Sequence, residues 1–310
     1  MITFRSKTVQ GFTVDAPFKP VVFPDGAVHL QATAEPRGIY EYQIAIVQGL
    51  SHDDLFMLNM WAELCLDRDE KTAVILPYLP GARMDRGAPI GAEVYGRFIL
   101  NAIVPDQLIT LDPHSPAALD FFTDDEDDDS PIHFTETTVY PVERIIKSEI
   151  QDGSHDTKAD TYVGVIAPDK GAHDRASRAA RLMGVPVYQA EKERDFETSK
   201  LSNFHMVDEL PETGKLLIVD DICDGGGTFL GLAEATGLPK DRLDLWVTHG
   251  IFSKGVHVLA DHFGVVHTTN SYYLGDGFKL DDVERPDKAA IDFELKVHKI
   301  THALEREITL

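Results

Sequence analysis

From Tyr42 onward, short β-branched runs alternate with longer amphipathic stretches. An apolar period that switches in this way between strand and helix is the pattern of parallel sheets joined by crossover helices, an α/β fold. Strands are expected near 42–48, 72–77, 107–111, 162–167, 186–190, 215–219, 243–249 and 264–269. Helices are expected at 53–66, with Leu55, Leu58 and Trp61 on one face, and at 90–102, 173–183, 228–236 and 255–262. Ahead of Tyr42, short extended segments are broken by Pro17, Pro20, Pro24 and Gly26, which predicts a small antiparallel flap. The stretch Ile291 to Val297 alternates cleanly, predicting a late strand before a final polar helix. At 310 residues the chain exceeds the roughly 250 at which single cores stop growing, so two α/β domains are expected. The boundaries read as 1–148 and 149–290, followed by 291–310 as a strand and helix able to pack back on the first domain. A linker is expected near 140–155, where Tyr140-Pro141 opens a helix-like segment that ends at Gln151 to His155.

Charge and composition then remove whole classes of function. A net charge of −23 opposes nucleic-acid binding, which needs Lys and Arg to neutralise phosphates. The same acidity repels a nucleotide unless divalent cations or a local basic pocket screen it. Apolar runs such as Ala73 to Leu76 and Leu216 to Val219 fall far short of the ~20 residues a bilayer span needs, so no membrane partner is expected. The opening MITFRSKTVQGF alternates like a strand and lacks the basic-then-apolar layout of a secretion signal, so cytoplasmic residence is the expectation. Cys65 and Cys223 alone support neither a disulfide framework nor a zinc cage. The acidic run from Thr123 to Ser130 reads as a solvated loop, with a metal-loaded lid as its alternative.

The segment Leu216 to Phe229, LLIVDDICDGGGTF, carries the chemistry: an apolar strand, two acids, then a glycine turn that opens a helix. Gly225, Gly226 and Gly227 permit positive φ and close backbone approach. Thr228 adds a hydroxyl at a helix start whose N–H groups attract anions, so the turn is a phosphate seat. Asp220 and Asp221 can accept hydrogen bonds from vicinal sugar hydroxyls or hold Mg²⁺ through water. Neither a Walker loop nor a G-x-G-x-x-G fingerprint occurs.

This loop resembles the phosphoribosyl-binding loop, V-D-D-x-x-D-x-G-G-T, shared by phosphoribosyltransferases and ribose-phosphate diphosphokinases (PRPP synthetases). Other segments resemble the synthetases in particular. Leu76 to Arg86, LPYLPGARMDR, is similar to their ATP-contacting P-Y-x-x-x-A-R-Q-D-R. Thr110 to Ser115 with Phe121-Phe122 is similar to D-L-H-A…F-F, and Phe23 to Gly26 to the F-x-D flap. Ala167 to Ala172 resembles S-P-D-x-G-G, and Glu191 to Arg194 the K-x-R of a mobile catalytic loop. The matches keep family order.

The resemblance implies two phosphoribosyltransferase-like domains, each a largely parallel sheet flanked by helices. It implies Mg²⁺-dependent transfer of pyrophosphate from ATP to the C1 hydroxyl of ribose 5-phosphate, with AMP leaving. The sugar would sit on Asp220, Asp221, Asp224 and residues 225–228, while Arg83, Asp85, Arg86, Phe23 and Asp25 would serve ATP. His114 would bind Mg²⁺ or donate to a phosphate oxygen, Asp169 would take a metal, and Lys192 and Arg194 would close over the transferring group. A homo-oligomer, dimer or hexamer, is implied as well. The chain departs from the family pattern at Met84 for Gln, Ala172 for Gly, Gly225 for Thr, and in a shortened loop after Arg86. Gly225 predicts space beside the 5′-phosphate, which makes ADP-ribose a rival acceptor. A phosphoribosyltransferase or a non-catalytic regulatory subunit are the readings from other classes.

Overall fold

Ile2, Phe4 and Ser6 turn inward in alternation along β1 (Ile2–Thr8), the first of the antiparallel strands at the N-terminus. The strand pairs antiparallel with β2 (Thr13–Asp15) on one side. In the proline-broken stretch, β3 (Phe18–Val22) and β4 (Val28–Ala32) pair antiparallel as a separate two-stranded hairpin, the expected flap. On its other side β1 pairs antiparallel with β5 (Tyr40–Val47), whose last six residues are all buried. Ser51 then starts α1 (His52–Asp67) through a capping box: Asp54 N–H donates to Ser51 Oγ at 3.1 Å and Ser51 N–H to Asp54 Oδ2 at 3.2 Å. Leu58, Trp61 and Cys65 on this helix are fully buried, and the Trp61 ring lies 5.9 Å from that of Phe4.

The parallel part of the first sheet continues with β6 (Thr72–Ile75), and α2 (Gly91–Phe98) runs on into a π-helical turn at Ile99–Ile103. Val104, left-handed at φ 53°, ends it. Next come β7 (Gln107–Leu111), the short α3 (Pro116–Asp120) and β8 (Glu136–Tyr140). The sheet order is β2-β1-β5-β6-β7-β8.

In the second sheet, α4 (Val142–Gln151) precedes β9 (Tyr162–Ala167), α5 (His173–Met183), β10 (Val187–Arg194), β11 (Leu201–Met206) and β12 (Lys215–Cys223). Then follow α6 (Gly227–Thr236), β13 (Leu243–Gly250), β14 (Val265–Thr269) and β15 (Glu294–His298), in the order β11-β10-β9-β12-β13-β14-β15. All pairs are parallel except β10 with β11. All eight residues of β13 are buried, as a central parallel strand covered on both faces requires. The predicted helix at 255–262 is only a 3₁₀ turn, Val256–Leu259, entered through Gly255 at φ 77°. Finally α7 (Thr301–Glu305) lies with the first unit, where Arg5 bonds Glu305 at 3.2 Å and Lys7 Nζ donates to the Ile308 carbonyl at 2.6 Å.

The computed structural model describes residues 1–33, 40–49, 51–124, 134–151, 162–194, 201–273 and 293–308. It divides into two compact units: Met1–Tyr140 with Ser271–Tyr273 and Ile300–Leu310, and Pro141–Asn270 with Leu274–Lys299. The predicted acidic loop beyond Asp124, the linker at 152–155 and the start of the late strand at 291–292 lie outside the described residues. Among the described residues no helix is long and apolar enough to cross a membrane.

A chain of buried polar side chains crosses β9, β13, β14 and β15 of the second unit. Tyr162 donates to Asp244 at 2.7 Å and its hydroxyl lies 3.4 Å from His267. His267 Nδ1 is 3.1 Å from His298 Nε2, and His298 Nδ1 is 2.8 Å from Glu149. Both imidazoles stack on Trp246.

Candidate functional site

The two acids that the sequence places at a strand end are inside the strand: β12 runs on to Cys223, with Asp220 opposite Val247 and Ile222 opposite His249 of β13. Two adjacent carboxylates tolerate that position because Arg175, on the inner face of α5, reaches both. Its Nη1 is 3.5 Å from Asp220 Oδ1 and its Nη2 is 3.8 Å from Asp221 Oδ2. Asp221 N–H also donates to Asp220 Oδ1 at 2.9 Å. Burial, and after it the Asp221 charge, push the Asp220 carboxyl well above the usual carboxylate range, while Arg175 pulls it back. Cys223 follows, buried, with its thiol pushed up to about 12 mainly by desolvation, so it is no nucleophile.

The chain then turns through Asp224, Gly225 and Gly226 into α6. Asp224 is exposed; Gly226 is left-handed at φ 78° and packs on Val258 and Leu259. No side chain caps the helix, and no acidic residue sits in its first turn. Gly227 and Thr228 therefore begin a helix whose N–H groups face an anion-attracting end. The turn is braced from the β13 side. Ile251 and Phe252 N–H donate to the Cys223 carbonyl at 2.9 and 3.1 Å, and Ser253 N–H to the Asp224 carbonyl at 3.2 Å. Beside Gly225 runs the Lys254 stem: a Cβ built on the glycine would meet Lys254 Cε at 3.2 Å.

Asp169 follows β9, where its Oδ1 accepts from the N–H groups of Gly171 and Ala172 at 2.9 and 3.1 Å, shaping the turn that starts α5. Lys192 lies on β10, opposite Phe204 of β11, with its ammonium 5.1 Å from the Phe204 ring centre. Glu191 beside it pairs with Lys170 at 3.1 Å. Phe204 in turn covers Gly231 of α6, where a Cβ would come within 2.8 Å of its ring. The β10–β11 hairpin is thus seated on the helix that begins at the glycine turn. Arg194 pairs with Leu201 through its backbone, and its side chain is outside the described set.

In the first unit Asp85 ties two segments together. Its Oδ2 accepts from Ser115 Oγ at 2.7 Å and its Oδ1 from Arg86 Nε at 3.2 Å. The Ser115 bond, helped by Arg86 and by the nearby His114, holds the Asp85 carboxyl below its ordinary value, against its desolvation. Ser115 caps α3 by accepting from Ala118 N–H at 3.0 Å, so His114 is held exposed at the end of β7. Arg83 and Arg86 are both exposed on the loop before α2. Asp25 instead accepts from Ala27 N–H at 3.0 Å, and Phe23 faces His29 at 6.4 Å, contacts that stay within the β3–β4 hairpin.

The structure therefore joins Asp85 with Ser115, Arg86 and His114 in one unit. In the other it joins Asp220 and Asp221 with Arg175. Sequence reasoning passed over Arg175, Ser115 and Lys254. Arg175 had a faint signal, a charge inside the buried Ala172, Ala176, Ala179, Ala180 and Met183 face of α5; Lys254 had none. Among the described residues no group of three or more His, Cys, Asp or Glu side chains could hold a metal ion.

No family model matches the chain. The ribose-phosphate pyrophosphokinase of Sulfurisphaera tokodaii is 31% identical over 261 residues, which cover 81% of this chain and 82% of that protein. The enzyme of the same name from Saccharolobus solfataricus is 29% identical over 228 residues, 70% of this chain and 69% of that one. The crystal structure of phosphoribosylpyrophosphate synthetase from Mycobacterium smegmatis superposes with a TM-score of 0.69 at 21% identity, covering 94% of this chain and 89% of that chain, and so shares the fold. With identity of this level over most of both chains, and with the glycine turn and double aspartate built as described, the chain belongs to the ribose-phosphate pyrophosphokinase family of enzymes.

Proposed function

We propose that this enzyme transfers the β,γ-pyrophosphoryl group of ATP to the anomeric hydroxyl of ribose 5-phosphate, giving 5-phosphoribosyl 1-diphosphate and AMP. The observation that carries the proposal is the Asp220–Asp221 pair, gripped by Arg175 and followed by an uncapped glycine turn. Neighbouring carboxyl groups offer oxygens to two vicinal hydroxyls, and the helix start receives a phosphate, so together they take a phosphorylated pentose. Phosphoryl-type transfer asks a protein for positioning and charge neutralisation more than for covalent help.

In the first unit, Arg83 and Arg86 offer planar donor forks to the ATP phosphates, and Asp85 orients Arg86 while anchoring Ser115. His114 donates to a phosphate oxygen or shares the metal. In the second, Lys192 and Arg194 offer cations to the group in transfer, with the Lys192 stem steadied against Phe204. Phe23 and Asp25 belong to the ATP side, and the functional enzyme is a homo-oligomer. Mg²⁺ suits this chemistry as an ion held largely by substrate phosphates, to which a single carboxylate such as Asp169 or Asp221 would add an oxygen. When bound, Mg²⁺ neutralises phosphate charge and polarises the transferring group.

The test incubates the enzyme with ATP, Mg²⁺ and, in parallel, ribose 5-phosphate or ADP-ribose, following AMP and product mass. AMP with ribose 5-phosphate supports the proposal. AMP with ADP-ribose only would make the larger sugar the acceptor, and no AMP with either would leave a regulatory subunit or a transferase.

A further inference from the structure

We infer that Lys254 is a specificity-determining residue of the sugar site, supplying the cation that recognises the 5′-phosphate of the acceptor; this rests on the function proposed above. The side chain lies across the glycine turn. A Cβ built on Gly225 would meet its Cγ at 3.7 Å, its Cδ at 3.4 Å and its Cε at 3.2 Å. The stem passes nearest the turn at Cε, so the ammonium, one bond beyond it, stays beside the turn. A side chain at Gly225 would press on the Lys254 stem.

The backbone around Lys254 fixes this course. Ser253 N–H holds the Asp224 carbonyl at 3.2 Å, and Gly255 N–H donates to the Phe252 carbonyl at 2.7 Å, closing a tight turn on either side of the lysine. Gly255 is at φ 77° and Phe252 at φ 47°, so the turn has a defined shape that aims residue 254 at the loop. Lys254 itself is exposed. On a chain with net charge −23, a lysine placed over an uncapped helix start is a local reversal of sign. A compact ammonium complements a phosphate dianion, adding a charge-assisted contact to the neutral backbone donors of the turn.

The consequence is selectivity for acceptors bearing an anionic 5′ group over the unphosphorylated sugar. The experiment measures AMP release with ribose 5-phosphate and with ribose, and ribose 5-phosphate binding by calorimetry, for wild type, Lys254→Ala and Lys254→Met. Both variants are expected to raise KM and Kd for ribose 5-phosphate about tenfold or more, the scale of one charged hydrogen bond. The effect on kcat is expected to be smaller, and the preference over ribose to shrink by the same factor. Lys254→Met keeps the stem, so a rise confined to Lys254→Ala would assign the effect to packing and overturn the inference. An active wild type whose KM and Kd are unchanged in both variants would overturn it alone; a wild type that releases no AMP would overturn the proposed function and this inference with it. Gly225→Ala supplies a second reading of the same contact. It is expected to weaken binding in the wild type, where its methyl presses on the lysine stem, and to have less effect beside Lys254→Ala.

Discussion

Replacing Arg175 by methionine removes one charge while keeping most of the volume, and it leaves Asp220 and Asp221 without their shared cation. At separations of 3.5 and 3.8 Å, each contact is worth about 4–5 kcal/mol of bare attraction at an effective dielectric of ~20. Desolvation of the buried groups offsets much of that, and removing one partner of a buried ion pair is expected to cost about 3–5 kcal/mol. For a unit of this size, where 1 kcal/mol moves the midpoint by ~2–4 °C, the second unit should melt about 10 °C lower. Part of the penalty is relieved by proton uptake at Asp220, whose carboxyl burial already pushes upward. The melting deficit of Arg175→Met should therefore be larger at pH 8 than at pH 5.5, because only the ionised pair repels. Arg175→Lys restores a charge without the planar fork and should recover part of the deficit. Calorimetric melts of the three proteins at both pH values decide it. A variant melting within about 1 °C of wild type at both pH values, a difference of only a few tenths of a kcal/mol, would refute the role assigned to the arginine.

Two further outcomes follow from the packing. Burial foremost, then the charge on His298, depresses His267, and burial depresses His298 against the pull of Glu149. Below the ordinary value of 6.5 the unfolded chain takes up protons that the folded chain refuses, so stability should be lost as pH falls from about 6.5 through the folded values, by up to ~1.4 kcal/mol per pH unit for each histidine. Denaturant titrations from pH 7.5 to 5 should show this slope flattened in His267→Gln; an unchanged slope would contradict it. Gly96→Ala should destabilise the first unit by about 2 kcal/mol or more, since its methyl would fall 1.8 Å from the Phe121 carbonyl oxygen and backbone must move. Thermal melting checks this, and a midpoint equal to that of wild type would show that α2 and the 121–122 segment yield freely.

The strands at 107–111 and 162–167 and the helix at 173–183 were legible because each is an apolar or amphipathic run bounded by strong breakers. β8 and β11 were not. They are edge strands of mixed polarity, Glu136–Tyr140 with no fully buried residue, and an edge needs only one covered face. The helix expected at 255–262 is only the 3₁₀ turn Val256–Leu259, too short for the apolar period of that stretch to decide its form. In the site, the glycine turn was readable because its conformational demand is met by the residues of the turn itself. Arg175 was not, because what makes it important is Asp220, 45 residues away and brought near only when α5 packs on β12. The same holds for Lys254, whose stem comes beside Gly225 only because the 251–255 turn is hydrogen-bonded to Cys223 and Asp224.

The central claim is that two phosphorus atoms move together from ATP to the anomeric oxygen of a sugar held on the Asp220–Asp221 strand and its glycine turn. Phosphorus-31 spectroscopy of a reaction with ATP, Mg²⁺ and ribose 5-phosphate tests it most directly. The expected spectrum gains two mutually coupled diphosphate resonances on the sugar, with AMP as the nucleotide product. A single new phosphate monoester accompanied by ADP, or an unaltered ATP spectrum, would contradict the account.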